Sequence, residues 1–327
     1  MGETINSVLA SEEMPCYEQL ILAAKEARVE DSLSQAGAAK ACGMGTSTFQ
    51  AWENKAYKGE RATKDGAVWQ WLKSRERKIK TRSAVPKPIS FVETPSASAF
   101  MGLLARAQFE PAMVTLTGAP GIGKTMSILE YRHRNPNVWL ITASKSTSRA
   151  ASVLDCMCDL LGIYEGAPAR RGRMIGAQMR GRNGLIVVDE AQHLTMDAID
   201  ELRAFHDNPD VQVGLALVGH VDVRRRMLGG GRRGQYAQLT SRFGAHMVRD
   251  KPLATDVNAV LDAEGILVED ARKLLKAVAS EPGALREMKF VLRSARMIAH
   301  EMGEEELSAS HIKAAHETRR VEMGGSL

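Results

Sequence analysis

The sequence predicts an α/β fold with a parallel sheet and a C-terminal helical lid, preceded by a small all-α head, and three observations predict it. An apolar strand over 113–117 runs into a glycine-rich loop and then a helix. Further apolar runs at 139–142, 185–190 and 213–218 alternate with helical segments, the order of a sheet built from crossover units. Helical periodicity fills both ends of the chain, separated from the middle by a Pro/Ser/Thr-rich stretch.

The boundaries follow. Residues 1–80 form the head, 81–97 a connector (TRSAVPKPISFVETPSA), 98–252 the α/β body, and 253–327 the helical lid. Lid helices are expected over 254–263, 267–279, 283–300 and 307–319, with EPG at 281–283 opening the third. A chain of 327 residues accommodates two or three such units.

Composition excludes several classes. At 44% hydrophobic and 25% charged the chain is neither disordered nor fibrous. Four cysteines, at 16, 42, 156 and 158, are too few and scattered for a disulfide scaffold or a four-thiolate zinc site, and reduced thiols in a cytoplasm are expected. Cys156 and Cys158 read as packed rather than reactive. No run of 18 apolar residues occurs, and the first residues carry acids before their apolar run instead of a basic n-region. Gly2 is followed by Asn6, which lacks the hydroxyl of a myristoylation signal. The expectation is a protein that does not engage a membrane. The formal charge is only +5, so its placement matters more than its size.

Within the head, SQAGAAKACGMGTSTFQAWEN (34–54) has the spacing of a helix-turn-helix. Ala39 permits close helix crossing, Gly43 the tight turn, Met44 fills the angle, Phe49 and Trp52 share an inner face, and Thr46 or Ser47 serves as cap. The outer face carries Thr46, Ser47, Thr48 and Gln50, side chains that hydrogen-bond bases or phosphates; the other reading of this bundle is a protein-contact module. A helix over 67–82 buries Val68, Trp69 and Leu72 and then turns basic. Between 73 and 87 seven cations, Lys73, Arg75, Arg77, Lys78, Lys80, Arg82 and Lys87, face the single Glu76, giving +6. Such a run attracts a phosphate backbone; a solvated linker helix is the alternative.

The strongest chemistry lies in Gly118-Ala119-Pro120-Gly121-Ile122-Gly123-Lys124-Thr125, followed by Met126 in the helix. This is the phosphate-loop pattern in its strand–loop–helix setting. Its glycines let backbone N–H groups face phosphate oxygens at a helix N-terminus, Lys124 reaches the terminal phosphates, and Thr125 holds Mg²⁺. The apolar strand Leu185-Ile186-Val187-Val188 ends in Asp189 and Glu190, one placed to support Mg²⁺ and the other to polarise a water. A nucleotide with Mg²⁺ is therefore the expected ligand, and hydrolysis the expected reaction. His193 reads equally as a site sensor or as an ordinary packing residue. The strand at 213–218 ends at Gly219-His220, where the imidazole can orient water or the γ-phosphate or simply meet solvent.

Two Gly/Arg-rich segments carry five arginines each: Arg170, Arg171, Arg173, Arg180 and Arg182 in 168–182, and Arg224, Arg225, Arg226, Arg232 and Arg233 in 224–233. They are expected to be basic surface loops, facing DNA or only solvent.

The ordered set FVETPS (91–96), GAPGIGKT (118–125), NVWLIT (137–142), LIVVDEAQHL (185–194), GLALVGH (214–220), LTSRF (239–243) and EPGALR (281–286) resembles the AAA+ P-loop NTPases, and within them the phage Mu B transposition-protein family. The resemblance covers nearly the whole chain. It implies that the nucleotide is ATP, that Phe91 and Val92 border the adenine, that Arg242 is an arginine finger offered to a neighbouring subunit, and that Arg286 is the lid's sensor arginine. His220 departs from the family's usual Asn or Thr. It further implies ATP-dependent self-association into a helical filament on double-stranded DNA, and a DDE transposase as partner. A replication helicase loader and an ATP-gated transcription regulator are the rival readings.

Overall fold

The computed structural model describes residues 13–84, 91–223, 243–304 and 306–322, with the side chains of 78–84 and 322 outside that description. Arg224, Arg225, Arg226, Arg232, Arg233 and Arg242 lie outside the described residues, as do the side chains of Lys78, Lys80, Arg82 and Lys87. The chain divides into two compact units, Met1–Lys87 and Pro88–Leu327.

The first unit contains α1 (Tyr17–Glu30), α2 (Gln35–Ala41), α3 (Thr46–Glu53) and α4 (Arg61–Ala84). Ser34 caps α2 by accepting from the Gly37 N–H at 3.1 Å. Gly43, at φ +66°, supplies the left-handed residue that turns the chain into α3. Small side chains at Ala23, Ala24, Ala27, Ala38 and Ala39 are buried, so the helices approach closely around Phe49, Trp52, Val68 and Leu72. The Trp52 indole donates to Asp65 at 2.7 Å, which satisfies a buried N–H.

Three details differ from expectation. The cap of α3 is Gly45, which offers no side-chain hydrogen bond, while Thr46 is already helical. The basic helix begins at Arg61 instead of 67, because Asp65 and Val68 are both drawn into the core. Arg75, expected on phosphate, is buried and bonded to Asp31 at 2.8 and 2.9 Å and to Glu30 at 2.7 Å. Those carboxylates lie on and just past α1, so the guanidinium is committed to holding α4 against it.

In the second unit, α5 (Pro95–Phe109) precedes β1 (Met113–Gly118), α6 (Lys124–Arg134), β2 (Val138–Thr142), α7 (Ala150–Leu161), α8 (Arg171–Met179) and β3 (Leu185–Asp189). Then come α9 (Met196–Asp207), β4 (Gly214–Gly219) and β5 (Phe243–Arg249), followed by the lid helices α10 (Ala254–Ala263), α11 (Glu269–Ala279), α12 (Ala284–Glu301) and α13 (Ala309–Glu322). The five strands are all parallel, in the order β2-β3-β4-β1-β5. β1, β3 and β4 are buried along their whole length, which is why they read as continuous apolar runs.

One face of the sheet packs Ile186, Val188, Leu215 and Leu217 against α7, α8 and α9. The other packs Val114, Leu116, Val187 and Val218 against α5 and α6. The lid has its own core around Leu261, Leu275, Met288, Leu292 and Ile312. The connector is shorter than expected: α4 runs to Ala84, and Thr94 caps α5 by accepting from the Ala97 N–H at 3.1 Å. The first arginine segment is a helix, not a loop, since Ile175 and Met179 recur four residues apart on the buried face of α8. Burial pushes the thiols of Cys156 and Cys158 above their ordinary range. No described helix is long and apolar enough to cross a membrane.

Candidate nucleotide site

The C-terminal ends of β1, β3 and β4 converge, as open parallel sheets arrange their ligands. Gly121 and Gly123 hold φ of +83° and +98°, turning the loop so that α6 opens at Lys124 with its first N–H groups lacking intrahelical partners. The loop is pinned from two sides. A Cβ on Gly118 would lie 1.9 Å from the carbonyl oxygen of Arg249 on β5, and one on Gly121 would lie 1.8 Å from that of Gly283 in the lid. Only glycine fits either position. Ile122 anchors the loop in the core, while Ala119 is half-buried and Pro120 and Met126 face outward.

Lys124 Nζ donates to the carbonyls of Gly118 and Ala119 at 2.8 Å each. Burial pushes its pKa down, the carboxylates of Asp189 and Glu190 pull it back up, and the Arg286 charge lowers it further. Arg286, exposed on the first turn of α12, is therefore electrostatically coupled to the loop lysine. Thr125 Oγ1 donates to Asp189 Oδ2 at 2.7 Å, and the other oxygen of Asp189 accepts from the Glu190 N–H at 3.0 Å. Asp189 is buried, and that burial pushes its carboxyl above the ordinary range despite both hydrogen bonds.

A divalent cation fits this set: a buried carboxylate whose desolvation outweighs its hydrogen bonds and the nearby Lys124 charge, beside a hydroxyl and the open N–H groups of a helix N-terminus. Thr125 and Asp189 would hold it, and when bound it would neutralise charge on the phosphates.

Glu190 does not continue β3. It adopts a left-handed conformation, φ 56° and ψ 35°, which throws its carboxylate out of the strand into the open. A single 3-10 turn, Ala191–His193, follows. Gln192, which sequence reasoning passed over, bonds the Glu190 carboxylate through its amide nitrogen and accepts the His220 N–H at 3.1 Å. His193 is exposed. His220 is exposed too, with its Nδ1 2.9 Å from Asp222 Oδ2.

Phe91 and Val92 are neighbours that enter different cores. Phe91 packs on the cluster under α5 and α6, and Val92 on the lid cluster. Beside them Ser96 gives its N–H and hydroxyl to buried Asp256 of α10 at 2.8 and 2.7 Å. The segment is thus stapled between body and lid.

The basic candidates separate by partner. In the first unit, Arg77, Thr46, Ser47 and Gln50 are exposed, Thr48 is half-buried, and Lys73 lies 4.7 Å over the Trp69 ring and 3.9 Å from Glu76. In the second, Arg171 is paired with Asp155 and Arg180 with Asp210, whereas Arg170 and Arg173 are exposed.

Fold and site together define an AAA+ ATPase. An AAA-domain family model matches residues 107–227, and a model described as Mu B transposition protein, C terminal, matches 241–318. The chain belongs to the Mu B transposition-protein family. It is 35% identical over 268 residues to the ATP-dependent target DNA activator B of Escherichia phage Mu, covering 80% of this chain and 83% of that one. It is 33% identical over 272 residues to the Mu-like prophage FluMu DNA transposition protein B of Haemophilus influenzae, covering 82% and 93%. Among solved structures, Drosophila ORC bound to DNA matches with a TM-score of 0.55 at 13% identity over 75% of this chain and 65% of that one. The Aeropyrum pernix ORC2 protein matches with a TM-score of 0.52 at 15% identity over 67% and 66%. At these identities the two structures share the fold.

Proposed function

We propose that this chain is an ATP-dependent, largely sequence-nonspecific DNA-binding ATPase that captures target DNA and activates a DDE transposase in a Mu-like transposing phage or prophage. The observation that carries it is the joint of loop, metal pair and base, Lys124, Thr125–Asp189 and Glu190, in a chain of this family. The two relatives are named for ATP-dependent activation of target DNA and for DNA transposition.

In the proposed reaction the loop N–H groups and Lys124 bind the phosphates, and Lys124 exchanges its two carbonyl partners for phosphate oxygens. Thr125 and Asp189 hold Mg²⁺. Glu190 polarises the attacking water, and Arg242 of a neighbouring subunit stabilises charge on the transferred group. Arg286 and the Phe91–Val92 segment hold the nucleotide between body and lid. Turnover is slow alone and rises with DNA and transposase. ATP favours a helical filament on the duplex and hydrolysis dissolves it. DNA contact is assigned to the outer face of α3, to Lys73, Arg77, Lys78 and Lys80, and to Arg170, Arg171, Arg173, Arg180 and the 224–233 arginines; Arg75 is withdrawn from that set. The protein works in the cytoplasm of the host.

The test is electron microscopy and footprinting on long duplex DNA with ATP, a slowly hydrolysed analogue and ADP, joined to a strand-transfer assay with the cognate transposase. Uniform, salt-sensitive coverage with ATP and stimulated strand transfer are expected. Protection of one sequence would instead favour an operator-reading regulator, and stimulation of a replicative helicase a loader.

A further inference from the structure

The link between Glu190 and strand β4 runs through one side chain. Gln192 sits in the 3-10 turn that follows Glu190, and its amide nitrogen bonds Glu190 Oε2. Its amide oxygen accepts the backbone N–H of His220, 3.1 Å away at the end of β4. The orientation of the amide is settled by chemistry: a backbone N–H donates, so the oxygen must face His220 and the NH₂ must face the carboxylate. Space is reserved for it, because a Cβ on Gly219 would stand 2.3 Å from Gln192 Oε1 and 3.2 Å from the Ala191 nitrogen. The left-handed backbone of Glu190 makes this possible, since an extended residue there would send Gln192 along the strand direction instead.

We infer that Gln192 is a positioning residue for ATP turnover, which aims the Glu190 carboxylate from the end of β4 and ties its orientation to the backbone at Gly219–His220. The inference rests on the assignment of Glu190 as the base. The carboxylate of Glu190 is exposed, and the amide of Gln192 fixes the direction in which it points. A displacement of the β4 end reaches Glu190 through two hydrogen bonds. His220 contributes through its main chain, while its imidazole meets Asp222.

The experiment measures ATP hydrolysis against ATP concentration, with and without duplex DNA, for the full chain and its Gln192→Ala, Gln192→Glu, Gly219→Ala and Glu190→Gln variants. Gln192→Ala and Gly219→Ala are expected to lower kcat on the order of 10- to 100-fold with KM for ATP within about twofold, the effect of misaiming a reacting group. Gln192→Glu keeps the length of the side chain and loses the donating NH₂, so its kcat is expected to fall as that of Gln192→Ala does. The preserved KM separates positioning from a folding defect, because loss of fold would remove nucleotide binding together with turnover. Wild-type kcat in Gln192→Ala or in Gln192→Glu would overturn the inference while an inert Glu190→Gln left the base assignment standing. Full turnover by Glu190→Gln would overturn both.

Discussion

The Thr125 hydroxyl donates to Asp189 Oδ2 at 2.7 Å, joining the first turn of α6 to the end of β3 although β4 lies between β1 and β3 in the sheet. This bond compensates only part of the cost of burying Asp189, whose carboxyl remains above its ordinary range. A site that destabilises its own charge in this way is built to receive a cation.

Replacing Asp189 with Asn removes that cost. An acid whose folded pKa is raised above its unfolded value costs the fold stability progressively as the pH rises from the unfolded pKa through the folded one, so Asp189 carries this cost on the alkaline side of that window. The Asn side chain satisfies both neighbours, accepting from the Glu190 N–H and donating to Thr125. Asp189→Asn is expected to raise the Tm of the nucleotide-free protein by about 2 °C and to abolish the further rise produced by Mg²⁺-ATP. Thermal unfolding with and without nucleotide at neutral pH reads both; a lower Tm without nucleotide would contradict the burial argument.

Lys124→Ala removes the ammonium that the proposed reaction brings onto the phosphates. ATP-dependent DNA coverage and the ATP-induced thermal shift should both disappear while the fold persists, since the lysine bonds only loop carbonyls. Filaments like those of the unaltered protein would refute its role.

Glu190→Gln keeps the size of the side chain and removes the proposed base. ATP binding should survive, kcat should fall on the order of 100- to 10,000-fold, and DNA complexes should persist. Single-turnover hydrolysis and complex lifetime on DNA are the measurements, and normal turnover would exclude Glu190 as base.

Two arginines one helical half-turn apart separate charge from structure. Arg75→Ala strands Asp31 and Glu30 and should cost the first unit about 2 kcal/mol in chemical unfolding. Arg77→Ala should leave stability unchanged and lower the slope of log binding constant against log salt by about one. The reverse pattern would reassign both.

Gly121→Ala places a methyl 1.8 Å from the Gly283 carbonyl, at a φ of +83° that side chains disfavour. The lid must move off the loop, so nucleotide affinity should fall at least tenfold without loss of secondary structure. Isothermal titration with ATP and circular dichroism test this together; unchanged affinity would mean that the lid contact is dispensable.

Most of the sheet and the lid were readable from local pattern. Strands buried on both faces show as unbroken apolar runs, and lid helix 254–263 coincides with its expected span. The errors arose where a distant partner decides. The α4 start at Arg61 depends on Asp65 meeting Trp52, and the helix at 171–179 was hidden by arginines that say nothing about which residues between them pack.

By itself the sequence determined the phosphate loop, the Asp189–Glu190 pair and the order of the elements, because each is specified by spacing along one short segment. Only the tertiary structure decided which cations are already neutralised, that Gly283 closes on Gly121, and that Gln192 ties Glu190 to His220. Arg75 meets Asp31 across 44 residues and Gln192 meets His220 across 28. Helix and strand periods carry information over a few residues, whereas a hydrogen bond between remote segments exists only once the cores between them have packed.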